Sequence, residues 1–153
     1  MNSIGFGDLV AAVLPALAVG DKPALFGALA EAAAAATGLP ADLILARLQE
    51  RELLGSTGFG DGTAIPHARI ADLPRVTALV ARLAPPVDYG ALDGGPVDLV
   101  VLLLSPEGAG ADHLKALARI SRTLRSPAAV AGLRAAGDEA ALRAALGGLA
   151  QAA

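Results

Sequence analysis

Hydrophobic positions along this chain change period twice. Between residues 21 and 52 they recur every three or four residues, as on one face of a helix. Leu25, Leu29 and the Ala32-Ala33 pair mark a first stripe; Leu43, Ile44 and Leu48 mark a second. The first helix is predicted to open at Asp21-Lys22-Pro23, with Asp21 as N-cap and Pro23 in the first turn, and to stop at Gly38. Pro40 starts the second helix, which runs to about Glu52 and carries Arg51 in its last turn. The middle of the chain reads differently. Gly55-Ser56-Thr57-Gly58-Phe59-Gly60-Asp61-Gly62 is half glycine and is predicted as loop. Thr63 to Ile70 alternates well enough for a short extended segment, in which Pro66 restricts Ile65 and points to an edge or irregular strand. Val76 to Leu83 reads as a strand, and Leu99 to Leu104 as a buried one. Pro85-Pro86 and Gly94-Gly95-Pro96 are predicted turns. From about Gly110 the helical period returns, with Leu114, Leu117, Ile120, Ser121 and Leu124 on one face and Lys115, Arg119, Arg122 and Arg125 on the other. Pro127 interrupts it, and two short alanine-rich helices follow, split by Gly137-Asp138. Helices first, strands in the middle and helices last predict an α/β fold in three layers, a sheet covered on both faces.

Composition narrows the classes. A chain of 153 residues predicts a single domain, 1–153, with one sizeable core. Hydrophobic residues reach 54% but aromatics only 3%, so that core must be built from Leu, Val, Ile and Ala. The formal net charge of −3 argues against a nucleic-acid partner, which requires a basic surface. Cysteine is absent, which excludes disulfides and thiolate chemistry. Leu9 to Gly20 is the best candidate for a membrane segment, yet it is too short to span, contains Pro15 and lies between Asp8 and Asp21. No basic stretch precedes it as in a secretory signal. These features predict a cytoplasmic protein without membrane insertion.

Candidate chemistry centres on the two histidines. His67 follows the glycine loop and Pro66, so its backbone is restrained before any reaction, which suits a nucleophile. The glycines allow N–H groups to be aimed at an anion. An ordinary histidine at a strand end fits the same pattern. His113 opens the last amphipathic helix and falls within about 40° of Leu117, Ile120 and Leu124 on the apolar face, capped by Asp112 or Ala111. The positive end of the helix dipole favours its neutral form, which can hydrogen-bond an anion; a buried, satisfied histidine is the alternative. Arg51 leads into the loop, where its planar fork suits phosphate, although an arginine at a helix C-terminus is also common on its own account. Together the groups describe an anion site better than a metal site, because the histidines lie 46 positions apart with no paired-ligand spacing. A P-loop fails, since Asp61 follows Gly60 where lysine is required. Gly-x-Ser-x-Gly is missing as well. Asp88, Asp93 and Asp98 read as solvated or turn-forming. The basic face from Lys115 to Arg125 reads as solvated helix surface, with a docking patch for an acidic partner as the alternative.

The run from Gln49 to Arg69, QERELLGSTGFGDGTAIPHAR, resembles the active-site segment of the fructose/mannitol-type enzyme IIA family of the phosphotransferase system. Pro-Val-Asp-Leu-Val-Val-Leu-Leu-Leu at 96–104 and His113-Leu114 at a helix start agree with it. The resemblance covers about residues 21–147. It implies a three-layer α/β/α fold around a mixed sheet, with His67 as phosphoacceptor, His113 as its active-site companion and Arg51 as ligand of the phosphoryl oxygens. Gly55-Ser56-Thr57-Gly58, and the lack of a fused membrane or IIB segment, look most like the nitrogen-regulatory branch. The implied partners are an HPr-like phosphocarrier as donor and a regulatory target or a IIB component downstream, with no cofactor and no metal. A sugar-specific IIA passing phosphate to a IIB, and a protein-binding module that is never phosphorylated, are the alternative functions. One residue departs from the pattern: Asp61 stands where a neutral side chain is expected. At about 8 Å and an effective dielectric near 20, each unit-charge pair costs roughly 2 kcal/mol, so the Asp61 carboxylate is predicted to point away from His67 into solvent. Transfer also requires His67 in a shallow, exposed depression; Phe59 and the Pro85-Pro86 turn are candidates for its rim.

Overall fold

In the computed structural model, residues 6–151 are described, and the ends of the predicted 1–153 domain, residues 1–5 and 152–153, lie outside them. The helical stripes fold as their spacing predicts. Helix α2 (Lys22–Thr37) follows α1 (Phe6–Leu9) and β1 (Val10–Leu17). Its Ala24 N–H donates to the Asp21 carboxylate at 2.8 Å, and Gly38, at φ 78°, returns its N–H to Ala34. Leu25, Leu29 and Ala33 are buried, joined by Phe26 and Ala30. Helix α3 (Ala41–Glu52) starts after an extended Pro40 and buries Ile44 and Leu48.

A six-stranded mixed sheet runs in the order β1-β5-β6-β3-β2, with β4 also on β6. The strands are β2 (Gly58–Gly60), β3 (Thr63–Ala64), β4 (His67–Ile70), β5 (Thr77–Val87) and β6 (Val97–Pro106). Strand β6 is the sheet's spine. It is antiparallel to β5 and parallel to β3 and β4, and Leu99 to Leu104 are all fully buried. Alternation along β5 and β6 divides the core. Leu79, Ala81, Val100, Leu102 and Leu104 face α2 and α3, whereas Val80, Val101 and Leu103 face α4 (Ala111–Leu124), α5 (Pro127–Ala135) and α6 (Glu139–Gln151). The three-layer α/β/α arrangement with a mixed sheet is therefore present.

Several local expectations are corrected. Strand β1 was not anticipated; Pro15 is tolerated because β1 is an edge strand paired only with β5, and the register shifts between Leu14 and Leu17. The glycine run is not all loop: Gly58–Gly60 pair with β3 as a short antiparallel strand. Pro85-Pro86 are no turn. They lie within β5, where the register shifts between Arg82 and Val87, so no ladder hydrogen bond is asked of them. Helix α4 is capped by Gly110 at φ 55°, with no side-chain cap from Asp112 or Ala111. Its buried face is His113, Ala116, Ile120 and Leu124, while Leu114 is 63% exposed. Among the described residues no helix is long and apolar enough to cross a membrane.

Candidate functional site

His67 is the first residue of β4, immediately after a break in the strand that pairs with β6. Ala64 pairs with Val100 and His67 with Leu103, and Ile65-Pro66 lie between. Pro66 has no N–H to offer the ladder, but its carbonyl accepts from Leu103 N–H at 3.0 Å, so pairing resumes at once. The break leaves the Ile65 carbonyl to the imidazole, and Nδ1 of His67 lies 2.8 Å from it. A carbonyl only accepts, so Nδ1 carries the proton and Nε2 keeps its lone pair. Arg51, from the last turn of α3, donates its Nε–H to that Nε2 at 3.2 Å and an Nη1–H to the Gly55 carbonyl at 3.2 Å. The His113 ring stands 5.7 Å from His67, centroid to centroid, tilted by 46°. The three residues predicted to converge are therefore together.

Both rings are held neutral. Burial lowers the His67 pKa below 6.5; the Ile65 carbonyl raises it, and Arg51 lowers it further. His113 is pushed down to about 4, by burial first, then by the positive charge of Arg69 and by His67. The neutral His113 expected at this helix start is thus neutral through burial first. The exposed depression is also corrected: His67 is 8% exposed and His113 6%, with the Arg51 guanidinium against Nε2 of His67. Phe59 is 47% exposed on β2, and Pro85-Pro86 sit where β5 meets the start of β6, far along the strand from Leu103, the partner of His67. Pro85-Pro86 therefore form no rim to the site.

Asp61 behaves as predicted, its side chain lying in solvent. Its backbone is fixed at φ 57° by two contacts, with its N–H donating to Asp93 at 3.1 Å and its carbonyl accepting from Arg134 Nη2 at 2.6 Å. Aspartate is among the few side chains that tolerate this left-handed region. Asp93 and Asp88 form turns, accepting from Gly95 and Gly90 N–H groups, and the backbone donors hold the Asp93 carboxyl below its usual range. Asp98 is no turn residue; it pairs with Arg134 through Nε and Nη2 at 2.8–3.1 Å. Lys115, Arg122 and Arg125 are exposed, as a solvated face requires.

Two groups of supporting residues were not read from the sequence. Glu52 accepts Thr57 N–H at 2.9 Å and the Thr57 hydroxyl at 2.8 Å, and pairs with Lys22 at 2.9 Å. With its hydroxyl hydrogen bonded to Glu52, Thr57 Oγ1 accepts from the Tyr89 hydroxyl at 2.7 Å. Burial raises the Tyr89 pKa and keeps that donor protonated, while Lys22 lies 4.2 Å over its ring. This network binds the end of α3, and so Arg51, to the loop before His67. Its one visible signal is that Tyr89 is the chain's only tyrosine. The second is Arg69, two residues beyond His67 on β4 and therefore on the same side of the strand. It is half-buried, and its side chain makes no hydrogen bond or ion pair among the described residues. No group of three or more potential metal-ligating acids or histidines gathers among the described residues.

This fold and this pair of imidazoles define a class. The chain belongs to the enzyme IIA type 2 family, described as "Phosphoenolpyruvate-dependent sugar phosphotransferase system, EIIA 2", over residues 12–147. Within it, the chain is 50% identical over 137 residues to a nitrogen regulatory protein of Bradyrhizobium diazoefficiens, spanning 88% of this chain and 90% of the relative. Its structure is similar to that of nitrogen regulatory protein IIA-Ntr from Neisseria meningitidis, at TM-score 0.84 and 33% identity, covering 92% of this chain and 97% of that one. The mannitol IIA of Escherichia coli shares the fold, at TM-score 0.71, 14% identity and 88% and 94% coverage.

Proposed function

We propose that this protein is a phosphocarrier of the phosphotransferase system that accepts a phosphoryl group on Nε2 of His67 from a phosphohistidine of an HPr-like protein, and acts in nitrogen-regulatory signalling. The observation that carries this reading is the state of one ring: Nδ1–H bound to the Ile65 carbonyl, Nε2 unprotonated and facing an arginine. In transfer, the P–N bond to the donor histidine breaks and the donor ring leaves with its electron pair. A new P–N bond forms from the Nε2 lone pair. Positive charge then develops on the His67 ring, and the Ile65 carbonyl, already bound to Nδ1–H, stabilises it. The transition state spreads negative charge over the peripheral oxygens, so catalysis consists of alignment and donors. Arg51 is the first of these. At rest its Nε–H occupies the lone pair, and its half-exposed side chain swings to the phosphoryl oxygens as the donor docks. His113, neutral and behind the ring, supplies a second donor. Exchange between two imidazoles is close to balanced and needs neither metal nor nucleotide.

The similarity to nitrogen regulatory proteins favours a signalling role over sugar uptake with a IIB partner, and retention of His67, Arg51 and His113 speaks against a binding module that is never phosphorylated. We also propose that residues 1–153 act as one domain, with the cytoplasm as its site of action. The test is incubation with phosphorylated HPr-like carrier, followed by intact mass. The wild-type chain should gain one phosphoryl group and His67→Ala none, with its circular dichroism unchanged. Stoichiometric uptake by His67→Ala would dispose of the assignment.

A further inference from the structure

The two imidazoles of the site are held by different kinds of partner. Nδ1 of His67 faces a carbonyl oxygen, which can only accept. Nδ1 of His113 faces instead the hydroxyl of Ser105, at 2.6 Å. Ser105 follows the apolar run of β6 and is fully buried, in register with Arg69 on β4. A hydroxyl can donate or accept, so the pair has two arrangements. If Nδ1–H donated to Oγ, the hydroxyl hydrogen would need another acceptor, and Ser105 Oγ has no other hydrogen-bond partner among the described residues. A buried hydroxyl hydrogen left unpaired is the costlier state. If the hydroxyl donates to Nδ1, both atoms of the contact are satisfied, and the ring's own hydrogen falls on Nε2, which no described residue occupies.

We propose that Ser105 is a positioning residue: by donating its hydroxyl hydrogen to Nδ1, it fixes His113 in the tautomer that presents Nε2–H as a donor to a phosphoryl group on His67. The inference deepens the phosphocarrier reading and rests on it for the identity of the acceptor, but the tautomer itself does not. The two rings thereby hold opposite tautomers: His67 exposes a lone pair for attack, and His113 exposes a hydrogen. Neutrality of His113 near pH 7, a consequence of its lowered pKa, is what gives the tautomer a meaning there.

The experiment is a long-range proton–nitrogen correlation on the unphosphorylated, 15N-histidine-labelled chain at neutral pH, where the two histidines keep assignment simple. We expect Nε2 to carry the hydrogen in His113 and Nδ1 to carry it in His67. Ser105→Ala should let the His113 tautomers mix and slow phosphoryl transfer from phosphorylated HPr-like carrier about three- to tenfold, the loss of one ordinary hydrogen bond. In a His113→Ala background the same substitution should cost nothing further, because its effect runs through that ring. A wild-type His113 with its hydrogen on Nδ1 overturns the proposal even if the variant fails to fold. So does a folded Ser105→Ala chain with unchanged tautomer or rate. Absence of phosphoryl uptake by the wild-type chain, with the tautomers as expected, would overturn the phosphocarrier reading and leave the Ser105–His113 pair standing.

Discussion

At the scale of single residues the site is a matter of where protons and charges are kept. His67 has its Nδ1 proton committed to Ile65 and its pKa lowered by burial and by Arg51, so Nε2 remains a nucleophile at pH values where a free imidazole is half protonated. The acid limb of phosphoryl uptake should therefore lie below pH 6.5, the ordinary value, and a rate profile against pH reads it directly. An acid limb at or above that value would contradict the lowered pKa. Arg51→Ala removes a guanidinium that both lowers the His67 pKa and covers the ring. The His67 titration should move upward, and transfer should fall by about a hundredfold, the usual loss for one donor to developing charge. Arg51→Lys should recover only part of the rate, since an ammonium cannot reproduce the two-pronged contact. Imidazole NMR titration and stopped transfer assays check these outcomes separately.

At the scale of elements, the site depends on how the glycine segment is pinned between α3 and β4. On one side Glu52, Thr57 and Tyr89 close the loop onto the end of α3. On the other, Arg134 of α5 grips Asp98 and the Asp61 carbonyl at the β2–β3 turn. Gly62 sits inside that grip at φ 79°, where a Cβ would collide with the Arg134 guanidinium and come within 2.9 Å of Asp98 Oδ1. Gly62→Ala should thus lower unfolding stability by about 1–3 kcal/mol, measured by urea denaturation. A neutral result would show that the clamp yields freely. These long-range grips explain what was legible beforehand and what was not. The helices α2 and α3, the buried β6 and the restrained backbone at His67 are encoded locally, by caps, period and a proline. The Arg134–Asp98 pair spans 36 positions and the Thr57–Tyr89 bond 32, so no local pattern announces either. Strand β1 was hidden for another reason. Its alanines and Pro15 carry low strand propensity, and its place is decided by β5, which supplies the only ladder it joins. Likewise Pro85-Pro86 read as a turn because proline usually breaks a ladder, but the register shift in β5 had already released those positions.

At the scale of the whole molecule, the fold buries two ionisable rings where β4, β6 and the start of α4 meet, and that has a consequence for stability. Both histidines have a folded pKa below their unfolded value, so the unfolded chain binds more protons as the solution is acidified. Their contribution to stability is complete above pH 6.5 and is lost as pH falls toward the folded values, about 4 for His113. The melting temperature should decline across that window, and His113→Gln, which has nothing to protonate, should flatten the decline. The same enclosure shapes how a partner must approach. Nε2 of His67 lies against Arg51, and just beyond Arg51 in the chain Leu53 and Leu54 are 87% and 83% exposed at the end of α3. On the proposed phosphocarrier reading, two adjacent leucines left in water next to Arg51 in the chain favour contact with an apolar patch on the incoming carrier. That contact would position the donor while the guanidinium turns from Nε2 to the phosphoryl oxygens. Leu54→Asp should then raise KM for the phosphorylated carrier while leaving kcat and the pH profile near wild type, because it touches docking and not chemistry. A fall in kcat at unchanged KM would mean that Leu54 governs the movement of Arg51 and not the encounter.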